Sequence, residues 1–388
     1  LATMRLPAGR PLFLYYAADL NQHGVTEVQR LTTTVFFASK SLGALTDSQL
    51  QRMLDRFGLG RLLRSAPTEH GVMKQTLFIT STAGEFVLKG NPLYPGQWEE
   101  EAYFIRHLHA NTGLKVPYPY LIDESDDIFG WSYALMPRLP GRHIHDPELL
   151  HHEDACAIAA ALGRALLALH GWKAEHPGEF DPDSGHIRPF AGSYTTWLYG
   201  TIRYWLDDAA NYSVMTDQDK NWVEQLLENA QATMDRLDSP SFVMGDFKPE
   251  NVLVQQTDRG WEVSGVIDFT TSYFGDAAAD LPKLTALYLE RGEEEEAASF
   301  LSAYVQGSSF AGDRGLLQEH GLDDFVERFR IHMLHQRLLR WGCAHAMKQI
   351  PWDPALSFSA WAEPYTEAAA RLLRVNQDRE ARPSQPMN

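Results

Sequence analysis

Cysteine is nearly absent from this chain of 388 residues, where only Cys156 and Cys343 occur. Both lie in stretches that read as apolar helix, which excludes a disulfide framework or a thiolate zinc site and makes a reducing cytoplasm the expected compartment. Also missing is any run of about 18 uninterrupted apolar residues. The nearest, "ACAIAAALGRALLALHGW", carries Arg164 and His170, so no membrane span is expected. Positive charge is scarce as well. A formal charge of −17 disfavours nucleic acid, whose phosphates call for clustered Lys and Arg, and would attract a cationic partner, although solubility alone explains it equally. No zincin H-E-x-x-H, Walker-type phosphate loop or G-x-S-x-G element is present. Of the fifteen histidines, close pairs include His143 with His145, His151 with His152, and His332 with His335. Only the last has helical i, i+3 spacing, and no carboxylate or cysteine completes a tetrahedral set, so zinc is not expected.

What remains is an ordinary globular composition, 44% hydrophobic and 22% charged, on a chain long enough for two or three domains or one bilobal enzyme. The opening "LATMRLPAGRPLFLYYAADLNQHG" has one early arginine and a short apolar patch with no convincing cleavage site, and residues 1–44 read as an N-terminal extension of unknown role. A short amphipathic helix fits "TDSQLQRMLDRFGLGRLLR" at 46–64, and two strands, Thr76 to Thr80 and Glu85 to Lys89, flank a Ser/Thr/Gly turn. "GQWEEEAYFIRHLHANTG" reads as a helix ending near Gly113, and "VPYPYLI" and "GWSYALMPRL" as short strands near a sheet edge. From about 150 helices dominate, at 151–171, 194–210, 217–237, 280–305 and 322–349, interrupted once by "NVLV" and "VSGVIDF". The expected architecture is α+β: a β-rich lobe at 45–137 and a larger helical lobe at 138–350, with a ligand cleft between them. A C-terminal helix and disordered tail are expected at 351–388.

One stretch carries chemistry. "FVMGDFKPENVLV" at 242–254 sets Asp246, Lys248, Pro249 and Asn251 between two apolar runs. A phosphoryl-transfer site must orient a hydroxyl, hold Mg²⁺ on nucleotide phosphates and neutralise spreading charge. Asp246 would orient or deprotonate the hydroxyl, Lys248 would face the γ-phosphate, and Asn251 would offer an oxygen to the metal. A second acid is needed, and Asp268 in "SGVIDFTTSYFGD" supplies it 17 residues after Asn251, as a hairpin would require.

Together, "MGDFKPENVLV" and "GVIDFTTSYFGDAAADL" resemble the catalytic-loop and metal motifs of the aminoglycoside phosphotransferases and their relatives, which share the protein-kinase fold. "GEFVLKG", "EEEAYFIRHLHANTGLKVPYPYL", "YALMPRLPGR", "ALGRALLALHG" and "ADLPKLTALYL" resemble further blocks of that family in the family's order, over about 45 to 345. The resemblance implies a bilobal protein-kinase-like fold, with Asp246 as catalytic aspartate and Asn251 and Asp268 as Mg²⁺ ligands. It implies Lys89 on the nucleotide α- and β-phosphates, paired to a glutamate in the following helix. Glu101 is chosen because it shares a face with Phe104, Ile105 and Leu108, while Glu99 and Glu100 read as solvated first-turn residues. Met136 to Arg138 stands where the family's hinge holds the nucleobase.

The chain departs from that family in having Met244 where a histidine is usual, and it shares Lys248 with Ser/Thr protein kinases. No G-x-G-x-x-G precedes Lys89, and "SAPTEHGVMKQT" stands where the phosphates would be covered. "DFT" at 268–270 and the want of an Ala-Pro-Glu element argue against a protein kinase. Asp276 and Asp280 read as structural, with contact to substrate amines as the other role. Asp207 and Asp208 lie where such families bind acceptors, though adjacent acids on a helix are commonly solvated. The expected activity is ATP-dependent phosphorylation of a small-molecule hydroxyl, with GTP as the open alternative to ATP, and Mg²⁺ as cofactor. A cationic aminoglycoside-type antibiotic leads as acceptor. A metabolic kinase of choline, homoserine or sugar-amine type, or a nucleotide-binding regulator without turnover, stands as the alternative, and either a monomer or a homodimer is compatible.

Overall fold

The computed structural model describes residues 42–68, 76–92, 94–144, 152–237, 239–310 and 316–373. Helix α1 (Asp47–Arg56) begins at a capping box in which Thr46 and Gln49 satisfy each other's backbone N–H groups. It buries Leu50, Met53 and Leu54, at i, i+3 and i+4, against the first sheet. The helix is shorter than the 46–64 stretch suggested. Gly58 and Gly60 take φ of 65° and 75°, and beyond that left-handed turn the chain runs extended as β1 (Leu62–Pro67).

Strands β2 (Thr76–Ser81), β3 (Gly84–Gly90), β4 (Leu121–Asp123) and β5 (Tyr133–Pro137) complete an antiparallel sheet in the order β1-β2-β3-β5-β4. Between β3 and β4 lies α2 (Gln97–Asn111), ended by the N–H of Thr112 donating to Leu108 O at 2.9 Å. Its Phe104, Ile105 and Leu108 are buried in the core of the second lobe, while Trp98 packs on Ala134 and Met136 of the sheet. One helix thus belongs to both lobes, which is how a residue on α2 can face the cleft between them.

The second lobe opens with β6 (Arg142–His143), α3 (His152–His170), β7 (Gly178–Asp181) and β8 (His186–Pro189). It continues through α4 (Tyr194–Ala209), α5 (Asp217–Met234), β9 (Ser241–Val243), β10 (Val252–Thr257), β11 (Gly260–Val266) and β12 (Tyr273–Gly275). It closes with α6 (Leu281–Glu290), α7 (Glu294–Phe310), α8 (Leu316–Ala346) and α9 (Phe358–Thr366). Two expectations are corrected here. The single helix at 280–305 is two, parted where Gly292 takes φ of 74°. The strand content is also larger: besides β11-β10-β6 there is a four-stranded sheet, β8-β7-β12-β9, built from strands of three and four residues. Runs that short carry too few alternations to show a period of two.

Gly163 explains why α3 and α7 lie so close. A Cβ there would stand 2.3 Å from Phe300 O and 3.0 Å from Tyr304 N, so only glycine allows the two backbones to touch. Helix α3 also packs on β9 and β11, strands on either side of the polar loop.

Candidate active site

The loop at 244–251 is shaped by its backbone before its side chains matter. Strand β9 delivers Met244 and Gly245, and Gly245 has φ of 77° with a would-be Cβ 2.4 Å from Thr271 O. Only glycine fits there. Asp280 then grips the turn, accepting the N–H groups of Met244 and Gly245 at 2.7 Å each. Behind it His170 Nε2 lies 3.1 Å from Asp280 Oδ2, and His170 Nδ1 lies 2.7 Å from Tyr304 OH. The Met244 side chain joins the apolar core, so support for the loop comes from the Asp280–His170–Tyr304 chain.

Lys248 is extended, and Pro249 starts a short 3₁₀ turn that ends at Asn251. Asn251 Nδ2 donates to Asp246 O at 3.0 Å and to Asp246 Oδ2 at 2.9 Å, and Lys248 Nζ lies 2.8 Å from the same Oδ2. The other oxygen, Oδ1, receives Lys283 Nζ from the first turn of α6. Asp246 is 1% exposed, so this carboxylate is held among three donors rather than in water.

The hairpin brings Asp268 to the same place. Val252 faces Val266 across β10 and β11, and the N–H of Ile267 donates to Asn251 O at 2.9 Å, which sets Asp268 one residue beyond Asn251's partner. Asp268 adopts φ of 69°, a left-handed conformation Asp and Asn enter more readily than most residues. Its Oδ1 accepts Thr270 Oγ1 at 3.0 Å and faces Lys89 Nζ at 3.4 Å.

Lys89 points off the face of β3 opposite to Phe86 and Leu88, which are buried beneath the sheet. It donates to Glu101 Oε1 at 2.7 Å, and Glu101 also receives Gln97 Nε2 at 3.0 Å and Tyr120 OH at 3.1 Å. Burial alone would lower the Lys89 ammonium, but the charges of Asp268 and Glu101 outweigh it and hold it well above the usual range. Burial likewise works to raise Asp268, and Lys89 and Lys248 overcome it, keeping this carboxyl below its ordinary value. The site therefore presents a charged ammonium, Lys89, from the first sheet and two carboxylates, Asp268 and Asp246, from the loops of the second lobe.

The structure brings together Lys89, Glu101, Asp246, Lys248, Asn251 and Asp268. The hinge candidates stand apart from these. Met136 pairs with Val87 in the sheet, and Arg138 spends its N–H on Glu85 O at 3.0 Å while its guanidinium lies 4.2 Å from the Phe78 ring centroid. Glu100 corrects the reading of a solvated first turn. It is 1% exposed and accepts Tyr94 OH at 2.8 Å, and the same hydroxyl lies 3.1 Å from Thr270 O, tying α2 to the loop after Asp268. Asp208 is buried as well, and only Asp207 of that pair is exposed. Of "SAPTEHGVMKQT", residues 69–75, including Gly71, lie outside the described residues, as do His145 and His151.

Sequence reasoning missed Lys283. A signal for it existed: Lys283 occupies the third position of a helix, where the dipole favours an acid over a cation, so some interaction other than the helix's own must retain it. Tyr94 and Tyr120 carried no such mark.

Asp276 accepts His332 Nε2 at 3.1 Å and Ala278 N at 3.0 Å, and Asp276 and Asp280 both hold protein groups. His335, one turn on, is half-buried with its Nε2 shielded from solvent, and that desolvation followed by neighbouring His332 pushes its imidazole down to about 3. Well above pH 6.5 the folded and unfolded chains bind the same number of protons here. On acidification the unfolded chain gains one that the fold refuses, and stability falls by up to about 1.4 kcal/mol per pH unit. His335→Leu is expected to flatten that slope between pH 6.5 and 5, read as the urea midpoint at each pH.

For a metal, the relevant donors are the Asp268 carboxylate and the Asn251 amide oxygen. These are hard oxygen ligands, and two of them with phosphate oxygens and water suit Mg²⁺. Both contacts to Asp268 fall on Oδ1, and Asn251 uses its amide nitrogen on Asp246, a division that allots oxygens to a cation. Among the described residues no cluster of three or more His, Cys, Asp or Glu could hold a metal alone, and no helix is long and apolar enough to cross a membrane.

The profile described as "Phosphotransferase enzyme family" matches residues 66–320, more than half the chain. A mouse protein, acyl-CoA dehydrogenase family member 10, is 26% identical over 279 residues, 69% of this chain and 23% of its own length. The chain thus spans about a quarter of that curated relative. Among solved structures, macrolide 2′-phosphotransferase MphH from Brachybacterium faecium aligns over 84% of this chain and 98% of its own, with 21% identity and a TM-score of 0.51. A putative aminoglycoside phosphotransferase from Ralstonia eutropha JMP134 aligns over 86% and 99%, with 16% identity and a TM-score of 0.56. Aminoglycoside phosphotransferase APH(4)-Ia in ternary complex with ADP and hygromycin B aligns over 84% and 98%, with 18% identity and a TM-score of 0.51. At these identities the likeness concerns the fold, which is the bilobal kinase-like arrangement.

Proposed function

The chain belongs to the phosphotransferase enzyme family, and from that membership we propose that it transfers the terminal phosphoryl group of ATP to a hydroxyl of a small molecule. The observation that carries this reading is the pair Asp246 and Asp268, one before and one after the β10–β11 hairpin, brought together with Lys89, Lys248 and Lys283. The acceptor oxygen forms a bond to the γ-phosphorus as the bond from phosphorus to the bridging oxygen breaks, and ADP leaves with that electron pair. The hydroxyl proton passes to Asp246. Lys89, kept in place by Glu101, would bind the α- and β-phosphates, and Lys248 would turn from Asp246 to the γ-phosphate. Asn251 and Asp268 would hold Mg²⁺, which when bound offsets negative charge on the phosphates. Met136 and its neighbours would border the nucleobase through the backbone. Since Arg138's N–H is committed to Glu85, the alternation of an antiparallel strand gives that contact to Pro137 O and the N–H of Leu139.

For the acceptor, an aminoglycoside-type antibiotic is supported by the acidic balance of the chain and by the names of its structural neighbours. One observation favours a metabolic alcohol instead. Lys248 and Lys283 border the carboxylate an acceptor hydroxyl must reach, which is a poor setting for a polycation. The test is ADP release with ATP, Mg²⁺ and a panel of aminoglycosides, macrolides, amino alcohols and hydroxy acids. Turnover of any panel member supports phosphoryl transfer, and its charge decides between the two acceptors. Nucleotide binding without turnover of any of them turns the reading to a regulator.

A further inference from the structure

We propose that Lys283 is a positioning residue for phosphoryl transfer, holding Oδ1 of Asp246 so that Oδ2 is the oxygen presented to the acceptor hydroxyl. The inference rests on the reading of Asp246 as the group that receives the hydroxyl proton. Lys283 Nζ meets Oδ1, while Lys248 Nζ at 2.8 Å and Asn251 Nδ2 at 2.9 Å meet at Oδ2. These partners differ in where they are mounted. Lys248 and Asn251 belong to the loop itself, and with nucleotide bound Lys248 would turn to the γ-phosphate while Asn251 keeps its amide nitrogen on Asp246. The departure of Lys248 opens one side of Oδ2 and leaves Lys283 as the ammonium that holds a carboxylate 1% exposed. A carboxylate that deeply buried needs such a partner to offset its lost hydration and to fix its orientation.

The mounting of Lys283 suits that task. Asp280, three residues earlier and therefore on the same side of the helix start, holds the loop through the N–H groups of Met244 and Gly245 at 2.7 Å each. One helix start thus grips the backbone before Asp246 and the side chain of Asp246 itself. Asp280 is in turn fixed by His170 at 3.1 Å, and Thr285 packs within α6 by donating to Leu281 O at 2.9 Å. The frame around Lys283 is rigid where the loop must let go. A lysine at the third position works against the helix dipole, so its retention is explained by the carboxylate it meets and not by helix stability.

Two measurements test this. With ATP, Mg²⁺ and an acceptor that is turned over, Lys283→Met is expected to lower kcat by about 100-fold, the scale of a misplaced catalytic group, with KM for both substrates unchanged. Lys283→Arg is expected to recover part of that loss. Unchanged kcat, or a loss confined to the acceptor KM, overturns the proposal. The second measurement needs no turnover. In a thermal double-mutant cycle on the unliganded protein, Lys283→Met lowers Tm, and combining it with Asp246→Asn costs less than the sum of the two single shifts. Additive shifts overturn the contact. If the parent protein turns over no acceptor, the proposed function fails, and the cycle still decides whether Lys283 holds Asp246.

Discussion

Asp246→Asn is expected to lower kcat by about 10²–10⁴-fold, the range associated with loss of a positioned acid–base group. The substitution keeps the shape of the side chain, so the loop has no steric reason to move, and it keeps one oxygen where the carboxylate gave Lys283 and Lys248 one each. What it removes is the capacity to draw a proton from the hydroxyl as the new bond to phosphorus forms. Nucleotide affinity should survive, because Lys89, Glu101 and Asp268 reach the nucleotide side without contacting Asp246. The measurement is ADP release at saturating acceptor, alongside calorimetric titration of ADP. A variant whose kcat stays within about tenfold of the parent would remove Asp246 from the chemistry and leave the hydroxyl to be activated by the phosphate itself.

The arrangement explains why some of the site could be read directly from the chain. Asp246, Lys248 and Asn251 lie within six positions, and Asp268 follows a hairpin whose two strands each show a clear apolar run. Local sequence dictates their proximity. Glu101 was also legible, because it shares the buried face of α2 with Phe104, Ile105 and Leu108. Glu100 was not, because at the edge of that stripe, four residues before Phe104, a first-turn acid reads equally as solvated. Tyr94 reaches it from a preceding turn, and the same hydroxyl is tied to Thr270 O of the far lobe.

Lys283 belongs to the same class of miss. Its partner is 37 residues away, and only the folded position of α6 against the loop joins them. The short strands β7, β8, β9 and β12 were invisible for a related reason: with three or four residues each, they are specified by pairing across the sheet and not by a pattern within themselves. Met244 shows the opposite relation. The sequence marked it as a departure, and the fold accounts for it, since an apolar side chain at that point enters the core while Asp280 and His170 take over the polar support.

Asp268→Asn is the second change expected to have a large effect, with kcat/KM falling by about 10²–10³-fold and activity shifting to higher Mg²⁺. The left-handed backbone at φ of 69° is the reason this variant is informative. Asparagine tolerates that conformation about as well as aspartate, so the loop keeps its course, whereas alanine would add strain to the loss of charge. Two consequences follow from removing the carboxylate. The cation loses the anionic member of its pair of protein oxygens, leaving two neutral amides that bind a hard divalent ion weakly. Lys89 loses the first of the two charges that hold its ammonium up against burial, and is left with Glu101. The first consequence is corrected by excess Mg²⁺ and the second is not, so a titration of rate against Mg²⁺ separates them. Recovery of the parent rate at saturating metal assigns the defect to coordination, and a plateau below it measures what Asp268 contributes through Lys89. A titration curve that coincides with the parent's would show that Asp268 holds no metal, and the hairpin would then serve only to carry a counter-charge for the lysine.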